Sequence, residues 1–282
     1  MKAILIPTDF SEQANNALDV AYAIAKKNNA SIKLLHIIEA PGVGSFNTMG
    51  EVYTGDPMNN VYIMEMMKVM KGKMEMLIND PKYKDVEMKY NVTVGNAFSG
   101  ISNEINEFDI DLVVMGSKGS SGLEETLIGS NTEKVVRRAK CPVLTVKDKM
   151  DMGAVKNIVF ASDFRTKGGN VIAALKEFAT TFDAKIHLLK VNTPNSFSAD
   201  REMRKRMNEF AMENRLENYT INIYNHEDEE DGIIYFADDI NADIIALGTH
   251  GRTGLMHLLS GSIAEDIVNH ARRPVWTYRI AD

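Results

Sequence analysis

The stretch 116–130, GSKGSSGLEETLIGS, decides the fold of this chain because it recurs at 248–262 as GTHGRTGLMHLLSGS. Both copies place two glycines three residues apart and a Gly-Ser pair after a further nine residues. Each copy follows a short apolar run led by aspartate, DLVVM or DIIAL, and precedes a helical stretch and a Pro-Val pair. The repeat predicts two related domains in one chain.

The glycines of each copy indicate a turn that approaches a bound group closely. Glycine lets the backbone turn tightly and leaves no side chain in front of a ligand. Gly129-Ser130 and Gly261-Ser262 then open predicted helices, whose free N–H groups and positive dipole end favour phosphate. The sequence therefore predicts two phosphate-binding turns.

The rest of the chain alternates between strand-like apolar runs and helical periodicity. Such alternation predicts an α/β fold with open parallel sheets and helices on both faces. The polar link 147–153 separates a closing strand from an opening one, which gives predicted domains of 1–147 and 155–282. Helices are predicted near 12–28, 61–79, 98–108, 130–139, 166–182, 200–218, 231–240 and 262–271.

Together these features resemble the universal stress protein family, whose ATP-binding signature is Gly-x2-Gly-x9-Gly-Ser/Thr after an apolar strand. Each half also opens as that family does, with KAILIPTDFS from Lys2 and KNIVFASDFR from Lys156. The resemblance covers nearly the whole chain. It implies two Rossmann-like domains related to the adenine nucleotide alpha hydrolases, each with five parallel strands in the order 3-2-1-4-5. In such sheets a ligand binds where the strand order reverses, beside the first and fourth strands.

The resemblance also implies which residues would bind ATP or another adenine nucleotide. The strand-end aspartates would contact the nucleoside, residues ending the second strands would line the adenine pocket, and the glycine turns would hold the phosphates. The candidate residues of the first half are Asp9, Ile37, Met115, Gly116, Gly119, Gly129 and Ser130. Those of the second half are Asp163, Val191, Leu247, Gly248, Gly251, Gly261 and Ser262.

Several of these residues have a purely structural alternative. Ser130 and Ser262 can cap the helices that they open, in addition to contacting phosphate. Asp9 and Asp163 can cap the following helices. Ile37 and Val191 can be plain core residues.

The two predicted sites are unequal. Arg252 in the second turn can grip phosphate bidentately, whereas Lys118 in the first offers a point charge. Against this, the acidic run at 227–231 replaces the neutral helix start of the first half. Acidic residues favour a helix start, and beside the crevice they would repel a triphosphate. This balance slightly favours the first site.

Composition limits the remaining function classes. A net charge of −7 without a basic stripe argues against nucleic acid or an anionic membrane as a partner. The single cysteine, Cys141, fits a reducing compartment, and the absence of a signal-peptide pattern leads us to expect a cytoplasmic protein. The six histidines are scattered without metal-ligand spacing, so we expect no dedicated metal site, although Mg²⁺ can accompany ATP.

Three functions remain in competition. The leading one is a non-catalytic sensor or regulator in stress adaptation, a role that the family resemblance implies. A slow ATPase is the second, although no Gly-x4-Gly-Lys-Ser/Thr loop is present. The third is a protein-interaction scaffold with degenerate sites, suggested by the Gly- and Asn-containing loop 40–60 and the methionine-rich stretch after it.

The final strand of each half predicts how the halves assemble. Members of the family typically dimerise through their closing strands, which here are 142–146 and 274–278. An apolar edge strand needs a partner. The two strands are therefore expected to pair within the chain as a pseudo-dimer, with homodimerisation of two chains and an unknown regulatory protein as further partners.

Overall fold

The computed structural model describes residues 1–39, 57–117, 128–165, 168–250 and 261–280. The first half contains the strands β1 (Ala3–Pro7), β2 (Ser31–Ile38), β3 (Met88–Val94), β4 (Leu112–Gly116) and β5 (Val143–Val146). Its helices are α1 (Glu12–Asn28), α2 (Pro57–Ile78), α3 (Ala97–Glu107) and α4 (Ser130–Arg138).

The second half repeats this order. Its strands are β6 (Asn157–Ala161), β7 (Lys185–Asn192), β8 (Tyr219–Asn225), β9 (Ile244–His250) and β10 (Val275–Ile280). Its helices are α5 (Gly169–Phe182), α6 (Asp200–Glu213), α7 (Glu229–Asp239) and α8 (Gly261–His270). Single 3₁₀ turns lie at Pro81–Tyr83 and Met152–Ala154.

All ten strands form one sheet, in the order β3-β2-β1-β4-β5-β10-β9-β6-β7-β8. This confirms the α/β fold class and the order 3-2-1-4-5, which appears once on each side of the centre. Pairing is parallel within each half. The division into domains 1–147 and 155–282 stays a prediction.

The two halves meet where β5 and β10 pair antiparallel, with Leu144 opposite Trp276. This is the intrachain pairing that the closing strands predict. Side chains reinforce it, because the Thr145 hydroxyl donates to the Val275 carbonyl oxygen at 3.2 Å. Trp276 is completely buried at this junction.

Hydrophobic clusters lie on both faces of the sheet. On one face a single cluster spans both halves, and on the other face each half has its own cluster. On the face of α1, α2, α5 and α6, one cluster runs through both halves, from Ile4 to Trp276. On the other face, α3 and α4 cover one cluster built from first-half residues. There α7 and α8 cover a separate cluster built from second-half residues.

Local sequence explains how the helices that flank the site begin and end. The Ser11 hydroxyl caps α1 by accepting from the Ala14 N–H, Glu12 lies in the first turn, and Asn29 closes the helix in a left-handed conformation. The side chain of Asp228 caps α7 in the same way. The acidic run of the second half thus forms the start of a helix, which is the structural role that the sequence predicts for it.

The helix α4 begins at Ser130, as predicted, but the capping role considered for Ser130 is not observed. Its cap residue is Gly129 and Ser130 is its first helical residue, so Ser130 is not the cap. Within the described chain, no side chain caps this helix. Among the described residues, no side chain accepts from the N–H groups of its first turn.

Candidate nucleotide-binding site

The carboxyl ends of β1 and β4 flank a cleft of about 390 Å³ in the first half. This is the place where the strand order reverses, as expected for a ligand site in an open α/β sheet. All six described candidate residues of this half line it. They are Asp9, Ile37, Met115, Gly116, Gly129 and Ser130. Gly119, and residues 40–56 of the 40–60 loop, lie outside the described residues.

A tight turn after β1 presents Asp9 to this cleft. One carboxylate oxygen of Asp9 accepts from the Ser11 N–H at 3.0 Å, and the intervening Phe10 adopts a left-handed φ of 63°. Since Ser11 caps α1, the capping role considered for Asp9 belongs to Ser11 instead. A bulky residue with positive φ is strained, and such strain often marks a functional site.

The floor and one wall of the cleft are apolar. Leu35 and Ile37 come from β2, Ile101 from α3 and Met115 from β4. A polar rim accompanies them, with His36 at the cleft and its Nδ1 2.8 Å from the Thr8 carbonyl oxygen. The cleft therefore offers a flat apolar surface bordered by hydrogen-bonding groups, the combination that ligand pockets typically show.

The opposite end of the cleft is the start of α4. Gly129, Ser130, Asn131 and Thr132 all line it. The Gly129 N–H donates to the Ser117 carbonyl oxygen at 2.8 Å, and the Thr132 hydroxyl donates to the Gly116 carbonyl oxygen at 3.0 Å. These two bonds tie the end of the glycine stretch to the end of β4, so the α4 N-terminus is fixed against the cleft.

The sequence did not single out Thr132 or Glu39, which also lines the cleft. Thr132 lies two residues after Ser130, and a helix-opening Ser-x-Thr was the signal available for it. Glu39 accepts from the Ala97 N–H at 3.2 Å, at the start of α3. Its role depends on a contact between distant segments, which local sequence patterns do not show.

In the second half, a pocket of about 20 Å³ lies at the carboxyl ends of β6 and β7, beside the start of α7. Asp163 and Val191 line this pocket. Leu247 and Gly248 lie in β9, and Leu247 is fully buried. The helix α8 starts with Gly261 and Ser262, as expected. Gly251 and Arg252 lie outside the described residues.

Lys190 also lines this pocket. Lys190 in β7 is equivalent to His36 in β2. The two strands start at equivalent points, because Ser31 pairs with Ala3 in the first half and Lys185 pairs with Asn157 in the second. Lys190 is only 4% exposed. Its ammonium donates to the Ser196 hydroxyl at 2.7 Å and lies 3.5 Å from the Glu229 carboxylate.

Electrostatics in the pocket of the second half follow from this burial. Burial lowers the pKa of the Lys190 ammonium, an effect that Glu229 and Asp163 oppose. Burial raises the pKa of the Asp163 carboxyl, while the Arg165 N–H and side chain act in the other direction. Lys190 thus has partners in Ser196 and Glu229, whereas one buried oxygen of Asp163 accepts no hydrogen bond from the described residues and lies 3.6 Å from the Arg165 Nε. The remaining space is about that of a single water molecule.

Other candidate chemistry is limited within the described residues. No cluster of three or more His, Cys, Asp or Glu side chains there could hold a metal ion. No helix in those ranges is long and apolar enough to cross a membrane. Cys141 is buried in the core under α3 and α4, and burial raises the pKa of its thiol to about 12.

Comparisons with known proteins agree with this architecture. A universal stress protein MJ0577 of Methanocaldococcus jannaschii is 31% identical over 160 residues, covering 52% of this chain and 96% of that protein. A universal stress protein YxiE of Bacillus subtilis is 30% identical over 148 residues, covering 51% of this chain and 97% of that protein. Each relative corresponds in length to about one half of the chain.

Solved structures also match nearly the whole length of the chain. The universal stress protein from Archaeoglobus fulgidus covers 98% of both chains with a TM-score of 0.77 at 20% identity, a likeness of fold. The sequence model of the universal stress protein family matches twice, at residues 1–147 and 154–279. This chain belongs to the universal stress protein family, with two family domains in tandem.

Proposed function

We propose that this protein binds an adenine nucleotide, ATP in the first instance, in the cleft of its first half and acts as a non-catalytic regulator in a stress response. The observation that carries the proposal is the composition of that single cleft. It joins an apolar surface, a strand-end carboxylate and the uncapped N-terminus of α4. Base, sugar and phosphates of a nucleotide need these three environments.

The residues of the cleft fit such a ligand. Ile37, Ile101 and Met115 would pack against the adenine ring. Asp9 would accept hydrogen bonds from ribose hydroxyls or the adenine amino group. The first N–H groups of α4 would donate to phosphate oxygens, helped by the positive end of the helix dipole.

We further propose that the tandem holds one nucleotide, in the first half. In the second half Lys190 and Glu229 pair beside Asp163, where the pocket that the described residues form has a volume of about 20 Å³. The first cleft has His36 and Ala97 at the equivalent positions and offers about 390 Å³. Mg²⁺ bound with ATP, homodimerisation and a regulatory protein that responds to occupancy belong to the same proposal.

Calorimetric titration of the whole protein with ATP and with adenosine tests this function. The decisive variant is Ser130→Pro, with Ser130→Ala as its control. Proline at the first helical position removes the N–H but is compatible with a helix, and Gly129, with φ −63° and ψ 137°, has the extended conformation that a residue before proline needs.

For the wild type we expect a stoichiometry near one and ATP binding tighter than adenosine binding. Ser130→Pro should weaken ATP binding about tenfold through loss of a charge-assisted hydrogen bond, and Ser130→Ala should weaken it less. Adenosine binding should be unchanged by both. If no binding is detected at millimolar ATP, the proposal is wrong and a protein-interaction scaffold is favoured. Steady phosphate release that Ser130→Pro abolishes would favour the ATPase.

A further inference from the structure

The exit of the first glycine stretch is anchored in the other half of the protein. Ile128 directly precedes Gly129, the cap residue of α4. Its side chain packs against the hydrophobic cluster under α7 and α8, a cluster whose buried members all come from the second half. Its N–H donates to the side-chain oxygen of Asn269 in α8.

The chain thus passes from one half to the other within two residues. Gly129 donates to the Ser117 carbonyl oxygen and belongs to the first cleft. Ile128 belongs by its contacts to the second half. Lys147, just after β5, adds a further tie, because its ammonium donates to the Asn269 carbonyl oxygen.

The equivalent helix position of the first half carries a side chain that cannot accept such a hydrogen bond. Ser130 and Ser262 are equivalent, so Arg137 in α4 takes the position that Asn269 takes in α8. Arg137 instead forms an ion pair with Glu265 of α8 at 3.0 Å. The two equivalent helix positions therefore make different contacts, and the amide contact described here runs from Asn269 to the first glycine stretch.

We infer that Asn269 is a positioning residue for the nucleotide site of the first half. By holding the Ile128 N–H, it sets where α4 begins and how its first N–H groups face the cleft. The second half thereby completes a site that it does not line. This inference rests on the proposed function for its ligand, but the anchor itself is a property of the fold.

Its test uses three variants of the full-length protein. Asn269→Ala removes the acceptor for the Ile128 N–H, whereas Asn269→Asp keeps an oxygen there. Glu265→Gln is the matched control, because it weakens the Arg137 ion pair between the same two helices without touching Ile128. The readouts are ATP affinity by calorimetry and hydrogen exchange at the amides of 128–130.

Asn269→Ala should weaken ATP binding about fivefold or more and speed exchange at Ile128, as expected for losing one part-buried hydrogen bond. Asn269→Asp should bind ATP within about twofold of the wild type, and Glu265→Gln should leave affinity and exchange unchanged. The inference is overturned if Asn269→Ala binds as the wild type does, if Asn269→Asp is equally impaired, or if Glu265→Gln has the same effect.

The exchange measurement keeps this inference separate from the proposed function. If the wild type binds no adenine nucleotide, the proposed function fails and exchange alone decides on the anchor. Faster exchange at Ile128 in Asn269→Ala then supports the anchor, and unchanged exchange overturns it.

Discussion

His36 and Lys190 occupy equivalent positions in the two halves, but their side chains make different contacts. His36 lies at the edge of the first cleft and turns its Nδ1 to the Thr8 carbonyl oxygen. Lys190 lies at the pocket of the second half and binds Ser196 and Glu229. The second half thus places a buried cation where the first half has a histidine ring.

Replacing Lys190 tests whether this network holds the pocket of the second half together. Lys190→Met keeps the length of the side chain but leaves Glu229 without its cation, so we expect a loss of about 1–3 kcal/mol in the free energy of unfolding. The double variant Lys190→Met/Glu229→Gln should recover at least half of that loss. Urea unfolding measures both.

The control is the exposed pair of Lys205 and Glu209 in α6, where Lys205→Met should change stability little because solvent screens such pairs. If Lys190→Met proved as mild as this control, the network would not hold the pocket together. If the double variant were no more stable than the single one, the loss would not come from the unpaired carboxylate.

At the scale of elements, the sequence predicts structure well where the chain supplies local stop and start signals. The helix predicted at 12–28 is observed as Glu12–Asn28, bounded by Ser11 and a left-handed Asn29. The helix predicted at 200–218 ends at Glu213, although apolar periodicity continues. There Arg215 adopts a left-handed φ of 52° and the Leu216 N–H returns to the Ala211 carbonyl oxygen, a helix end without the usual glycine.

The candidate site, too, can be predicted from the sequence only where local signals exist. Strand ends and glycine turns carry their own sequence signals, so Asp9, Gly116 and Gly129 could be placed at one cleft in advance. The contacts of Lys190 in the second half depend on where its side chain on β7 finds partners, on a loop and on a helix. No local pattern encodes such a contact, because it arises only once the elements have packed.

The packing of α7 on β7 gives a test at this scale. A Cβ added at Gly232 would lie 2.6 Å from Val191 Cγ1 and 2.9 Å from His226 Cβ, closer than atoms tolerate. Gly232→Ala should therefore destabilise the protein by about 1–3 kcal/mol despite the better helix propensity of alanine. Val191, predicted as a pocket residue, is thus also the core contact that fixes this helix.

The matched control for that substitution is Gly72 in α2, where an added Cβ meets nothing within 4 Å. Gly72→Ala should stabilise the protein by about 0.5–1 kcal/mol. Thermal and urea unfolding of the two variants measure the contrast. Equal effects of the two substitutions would contradict the close approach of α7 to β7.

At the scale of the whole molecule, the continuous sheet and the shared core should make the two halves unfold together. Trp276 is the chain's only tryptophan, lies in β10 and is fully buried opposite Leu144. Its fluorescence therefore reports on the junction, while circular dichroism reports on the helices of both halves. We expect the two signals to change in one coincident urea transition, the mark of all-or-none unfolding.

Leu34→Ala makes this expectation strict, because Leu34 lies in β2 of the first half, away from the β5–β10 junction, while the fluorescent probe belongs to the second half. Leu34 is fully buried in the cluster that spans both halves. Its truncation should cost about 2–4 kcal/mol and move both transitions to lower urea by the same amount. If circular dichroism instead resolved two steps, with fluorescence following only the second, the halves would be independent domains. Nucleotide binding in the first half would then stabilise that half alone, whereas in a single cooperative unit it also stabilises the second.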